Sequence, residues 1–182
     1  MSEKIGKEAQ ETFAIHTVTM SFNAMEDRIA MDSADQKGQI ERLWLSRRLL
    51  DKLIPTLADQ LEVNSNHQIP TELEQSLAQE KAELDKKHSE AVKVEARNPS
   101  WLVTSVQVGR NENEFQLLFL GENDFEPSTY SNQARFDLAI PNLRQWLNAV
   151  YQIYLKAEWE TKAFPRWIND KNLQSDKPFL IN

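Results

Sequence analysis

A chain of 182 residues that is 40% hydrophobic, with five Trp and eight Phe, holds enough apolar mass for one domain or two small halves sharing a core. The absence of cysteine excludes disulfides, thiolate catalysis and Cys-ligated zinc, and no apolar run approaches the ~18 residues of a membrane span. A formal net charge of −7 disfavours wholesale binding to a phosphate backbone but leaves room for a local basic patch.

Residues 1–12 are charged and aperiodic, and read as a flexible leader without the apolar stretch of a secretion signal. With the missing cysteine, this points to a cytoplasmic protein. From Phe13 to Phe22 the β-formers Phe, Ile, Thr and Val predict a strand. Arg28–Asp32 and Ile40–Leu45 flank Asp35-Gln36-Lys37-Gly38, a hairpin loop in which Gly38 can take positive φ. Leu49, Leu50, Leu53, Ile54, Leu57 and Leu61 then form an apolar helical stripe, with Pro55 expected to kink it or force a restart.

Residues 64–70 form a polar linker, and Thr71 with Glu74 fits a capping box. Glu72–Glu95, rich in Glu, Lys, Gln and Ala, reads as a long, mostly exposed helix protruding as an arm, against a coiled-coil seam or a partly disordered segment, with only Leu73, Leu77, Leu84 and Val92 to bury. After Asn98-Pro99-Ser100, strands are expected over Trp101–Val108 and Glu114–Leu120, and a short one over Arg135–Ala139. Pro141 suits the first turn of a helix carrying Leu143, Trp146, Leu147, Val150, Tyr151 and Tyr154 on one face.

One pattern recurs. ERLWLSRRLLDKLIPTL at 41–57 superimposes on ARFDLAIPNLRQWLNAV at 134–150, matching Arg42 with Arg135, Leu43 with Phe136, Leu53 with Trp146 and Ile54 with Leu147. Either the chain holds two related halves, or any strand followed by an amphipathic helix resembles another such pair. The expected fold is therefore α+β: one or two antiparallel sheets built from strand-strand-strand-helix units at 13–63 and 99–160. A linker and charged helical insertion at 64–98 separate them, and an aromatic segment at 161–182 packs on the core or on a partner, the whole forming one compact domain.

Chemical motifs are sparse. His16, His67 and His88 lack zinc-site spacing, and the acidic loop from Glu122 has Pro127 where a calcium loop needs Gly. No nucleophile elbow and no glycine-rich phosphate loop occur, so no catalytic residue, metal or cofactor is expected. Arg47 and Arg48 fall in the first turn of a helix, where the macrodipole disfavours cations, with Arg42 before them and Lys52 one turn onward. These four either form an anion- or partner-binding patch or are surface arginines paired with Asp51 or Glu41. Trp159, Phe164, Trp167 and Phe179 either cover the chain's own core or form a protein-docking surface.

The functional expectation is a non-catalytic interaction or accessory subunit of a cytoplasmic complex, binding another protein and no membrane. The alternatives are a nucleic-acid or anion-binding module using the Arg cluster, and an enzyme without a familiar motif.

Overall fold

The computed structural model describes residues 11–63, 69–122 and 130–168. Strands β1 (Phe13–Ile15), β2 (Thr17–Asn23), β3 (Arg28–Ala34) and β4 (Ile40–Ser46) lead into helix α1 (Arg47–Glu62). Helix α2 (Thr71–Leu84) follows, then β5 (Ser100–Leu102), β6 (Ser105–Arg110), β7 (Glu114–Glu122), β8 (Tyr130–Ala139) and α3 (Ile140–Lys156). A short 3₁₀ turn closes the described chain at Arg166–Ile168. The fold is mixed α+β, with each meander of three strands running directly into a helix.

Two stretches expected as single strands are each broken in two. The run from Phe13 divides at His16, and the run from Trp101 divides at Val103-Thr104. At each break the chain leaves one sheet and enters the other. The first sheet has the order β2-β3-β4-β5, and the second β1-β8-β7-β6. Thus β1, which precedes the first meander, pairs in parallel with β8 at the end of the second. Reciprocally, β5 precedes the second meander and pairs in parallel with β4 of the first. Backbone bonds hold both crossings: His16 N–H donates to Ala34 C=O at 2.9 Å, Val103 N–H to Trp44 C=O at 3.0 Å and Thr104 N–H to Leu120 C=O at 2.8 Å. Local propensity could not reveal the breaks, because either half of each run favours extended backbone whichever sheet receives it.

The sequence repeat falls on equivalent places in this topology. Leu43 faces Trp101 across the β4–β5 pair as Phe136 faces Ile15 across β8–β1. Gly38 takes φ 81° in the β3–β4 loop, where Asp35 Oδ1 accepts the Lys37 and Gln39 N–H groups at 2.8 Å. The inner faces of both sheets and the apolar stripes of α1 and α3 merge into one continuous hydrophobic core. Leu50, Ile54, Leu57, Leu143, Leu147 and Val150 are fully enclosed there. Helix α1 starts on Ser46, whose hydroxyl accepts the Leu49 N–H at 3.3 Å. It runs through Pro55 as one helix instead of restarting there, and one residue on the Thr56 hydroxyl donates to the Lys52 carbonyl at 3.0 Å.

The insertion differs most from expectation. Helix α2 ends at Leu84, and residues 85–99 contain no helix. Its capping box does not form: Pro70 holds the N-cap position and Thr71 lies inside the helix. Nor does α2 protrude. It packs on α3 and the 3₁₀ turn with its polar side inward, burying Gln75, Ser76 and Gln79, while Leu77 and Leu84 face out. The reason is Arg144, which α3 buries beneath it. The guanidinium donates to Gln75 Oε1 and, at 3.4 Å, to the Gln75 carbonyl, and stacks 5.2 Å from the Trp167 ring centre. Gln75 in turn donates to the Leu61 carbonyl at 3.3 Å, and Gln79 to the Arg144 carbonyl at 2.9 Å. Burial pushes Arg144 down to about 10, with the Glu74 charge opposing, so it remains cationic at neutral pH.

Two substitutions test this packing. Leu147→Ala should cost about 2–5 kcal/mol in chemical denaturation, whereas Lys86→Ala should cost almost nothing. In Gly121→Ala the new methyl would lie 2.7 Å from Trp101 Cε3 and 3.1 Å from the Leu102 carbonyl. That overlap at the β5 crossing should destabilise the chain by about 1–3 kcal/mol in the same assay.

Candidate partner-binding surface

Each sheet turns one face inward and one outward, and the outward faces carry the polar residues. On the first sheet, strand register aligns Thr19, Asp32, Arg42 and Ser100 in one row across β2, β3, β4 and β5. Residues directly opposite one another share a face, so their side chains meet. Arg42 donates to both Asp32 oxygens, Nε to Oδ1 at 2.6 Å and Nη2 to Oδ2 at 2.8 Å. These charge-assisted bonds raise Arg42 above the usual arginine value. Its guanidinium lies 5.2 Å from the centre of the Trp44 ring, and Trp44 Nε1 donates to Ser100 Oγ at 2.9 Å.

An extended segment of the chain itself is anchored at both ends of this row. The Val92 N–H donates to Thr19 Oγ1 at 2.8 Å, over β2 at one edge of the sheet. Eight residues later, Ser100 is paired with Arg42 in β5 at the opposite edge. Between these anchors the chain leads from the β2 edge of the sheet to the β5 edge. Three inter-strand gaps of about 4.8 Å are well within its reach. Val92 and Val94 are half-buried while Ala91, Lys93 and Glu95 are exposed, the alternation of an extended strap lying on a surface. Asp32 beneath is only 8% exposed.

The second sheet repeats the row, with no strap among the described residues. Gln107, Leu118, Arg135 and Ala14 align across β6, β7, β8 and β1, position for position with Thr19, Asp32, Arg42 and Ser100. Here Thr12, Ala14, Gln116, Leu118, Gln133 and Arg135 line an open depression of about 360 Å³. Its polar groups hold one another in place. The Thr12 hydroxyl donates to Gln133 Oε1 at 3.4 Å, Gln116 Nε2 donates to Asp137 Oδ1 at 3.1 Å, and Arg135 Nη2 lies 2.9 Å from Asp137 Oδ2. The Arg135 side chain is 51% exposed, against 28% for Arg42.

The basic residues singled out in sequence lie on two successive elements, β4 and α1. Arg42 is held on the outer face of the first sheet by Asp32. Arg47 and Arg48 are exposed in the first turn of α1, with Lys52 exposed on the next turn. The Arg47 guanidinium lies 6.0 Å from the Trp159 ring centre. Nearby Asp51 accepts a 2.9 Å bond from the Tyr154 hydroxyl, whose proton is held well above its ordinary pKa, mainly by burial and then by that bond.

The C-terminal aromatics take the core-covering role. Trp159, Phe164 and Trp167 are buried, with Trp159 edge-on to Phe22 and Tyr154 at 5.4 and 5.0 Å. Their indole N–H groups are satisfied, Trp159 by Asp27 at 3.0 Å and Trp167 by Glu62 at 2.7 Å. Phe179, most of the leader, most of the 64–70 linker and most of the acidic loop after Glu122 lie outside the described residues.

Sequence reading did not single out Gln116, Leu118 or Gln133; the available signal was the match of Arg42 with Arg135. Among the described residues no three His, Asp or Glu are grouped to hold a metal ion, and no helix is long and apolar enough to cross a membrane. The chain matches no known protein family, no curated protein and no solved structure.

The strap contact is directly testable. Thr19→Val removes the Oγ1 acceptor, so the Val92 amide should exchange with deuterium roughly 2- to 10-fold faster, as expected for a bond of net ~0.5–1.5 kcal/mol. Core amides of β3 should keep their protection.

Proposed function

We propose that this chain is a non-catalytic, cytoplasmic protein-binding subunit that takes an extended segment of a partner across the outer face of the second sheet. The observation carrying this reading is the equivalence of the two outer rows. One is tied at both ends to a strap of the chain's own backbone, and its counterpart presents an open depression among the described residues. The same fold therefore contains a worked example of what this kind of face accepts: a strand-like segment placing alternate small aliphatic side chains on the sheet.

Shape and chemistry both support peptide over small molecule. The depression is open to solvent and mixes Leu118 and Ala14 with amide side chains, which suits backbone and aliphatic contact. Few anchors and the ordering of a flexible segment imply weak binding for a single peptide, with Kd on the order of 100 μM. In an assembly, a second contact would raise the effective affinity.

The test is an NMR titration of the isotope-labelled full chain with a synthetic peptide copying residues 86–98. The tethered strap should keep its place on the first sheet, because its effective concentration exceeds that of a free peptide at millimolar levels. Saturable shifts of the Gln116, Leu118, Gln133 and Arg135 amides are the expected result. Shifts confined to the first sheet, or none at peptide concentrations of about 2 mM, would defeat the reading.

A further inference from the structure

We infer that the partner segment carries a carboxylate where it passes Arg135, two positions from an aliphatic side chain lying over Leu118. This inference rests on the peptide-binding reading above and assigns the chemistry of that peptide. The two rows differ in charge at one position. Beneath the strap, Arg42 receives its counter-ion from the sheet itself, both oxygens of Asp32. At the equivalent place beside Arg135 the second sheet offers Leu118. The remaining acid, Asp137, lies along the same strand; the ion pair joins Arg135 Nη2 to its Oδ2, while its Oδ1 accepts from Gln116.

A guanidinium has five N–H donors in a planar fork. With half of the Arg135 side chain exposed, it remains accessible to a further acceptor beside Asp137. An acidic side chain from above supplies there what Asp32 supplies from below on the other sheet. Leu118 lies directly across the β7–β8 pair, about 5 Å away backbone to backbone, and offers an aliphatic platform. Side chains two apart on an extended strand point the same way and lie about 6.8 Å apart. The matching ligand pattern is therefore aliphatic–any–acidic. The charge term also selects among partners, because a basic side chain at that position would meet Arg135 with like charge.

The experiment compares two peptides based on residues 86–98, one with Val94→Glu and one with Val94→Gln, each keeping Val92 two positions earlier. Binding to the full chain is measured by calorimetry and by the amide shifts of Leu118 and Arg135. The acidic peptide should bind about 5-fold or more tighter at low salt, and the preference should shrink at about 0.5 M salt. It should vanish in Arg135→Gln. It should also vanish in Leu118→Asp, which gives the second sheet the counter-ion that the first already holds and so should fold normally.

Equal affinity of the two peptides for the unaltered chain would overturn the inference while leaving the peptide-binding reading intact. Binding of neither would remove that reading itself. If deleting residues 1–10 tightened both peptides equally, with no acid preference, the face would belong to the chain's own leader and the inference would fall. The same holds if Arg135→Gln turned a dimer into a monomer, which would make a second copy the occupant.

Discussion

The exchange of β1 and β5 between the two sheets is the constraint on which the rest of this structure depends. Each three-stranded meander is completed by a short parallel strand that leads into the other meander. Three-residue strands are too short to be stable by themselves. They are held because Phe13, Ile15 and Trp101 bury their side chains in the shared core, and because the crossings are hydrogen-bonded on both sides. Gly121 lets the β7 backbone approach Trp101 more closely than any residue with a Cβ would allow. Separating the halves would break both parallel ladders and open one continuous apolar cluster, so the repeat is topological while stability belongs to the whole.

The same interlocking explains where buried polarity is tolerated. Helix α3 carries a cation, Arg144, on its core side, and burying a charge without partners is costly. Helix α2 resolves this by turning its Gln and Ser residues inward and supplying carbonyl and amide partners, while Trp167 stacks on the guanidinium. Leu77 and Leu84 then face outward. The insertion is thus part of the fold's polar interior, and its composition, ordinarily that of a solvated arm, reflects the chemistry of what it touches.

Two equivalent faces with unequal coverage follow from this arrangement. The segment after α2 has to travel from the helix to β5, and the outer face of the first sheet lies along its path. It is tied to β2 at Thr19 and joins the sheet as β5, on either side of an ion pair already neutralised within the sheet. The second sheet keeps the arginine and has Leu118 in place of the aspartate, its Arg135 pairing along the strand with Asp137 instead.

Much of the architecture was legible in the sequence because it is written in local periodicity. The α1 and α3 stripes, the β3–β4 hairpin with its positive-φ Gly38, and the strand-strand-strand-helix order all follow from apolar spacing and turn chemistry between near neighbours. Of the candidate surface, the sequence contained only the pairing of Arg42 with Arg135. Which strand took which partner, the sheet changes at His16 and Val103-Thr104, the inward polar side of α2 and the strap over Thr19 were decided by tertiary structure. Each depends on groups far apart in the chain, such as Val92 with Thr19 or Gln75 with Arg144. Short-range patterning records whether a residue prefers apolar or polar surroundings, and not which distant residue provides them.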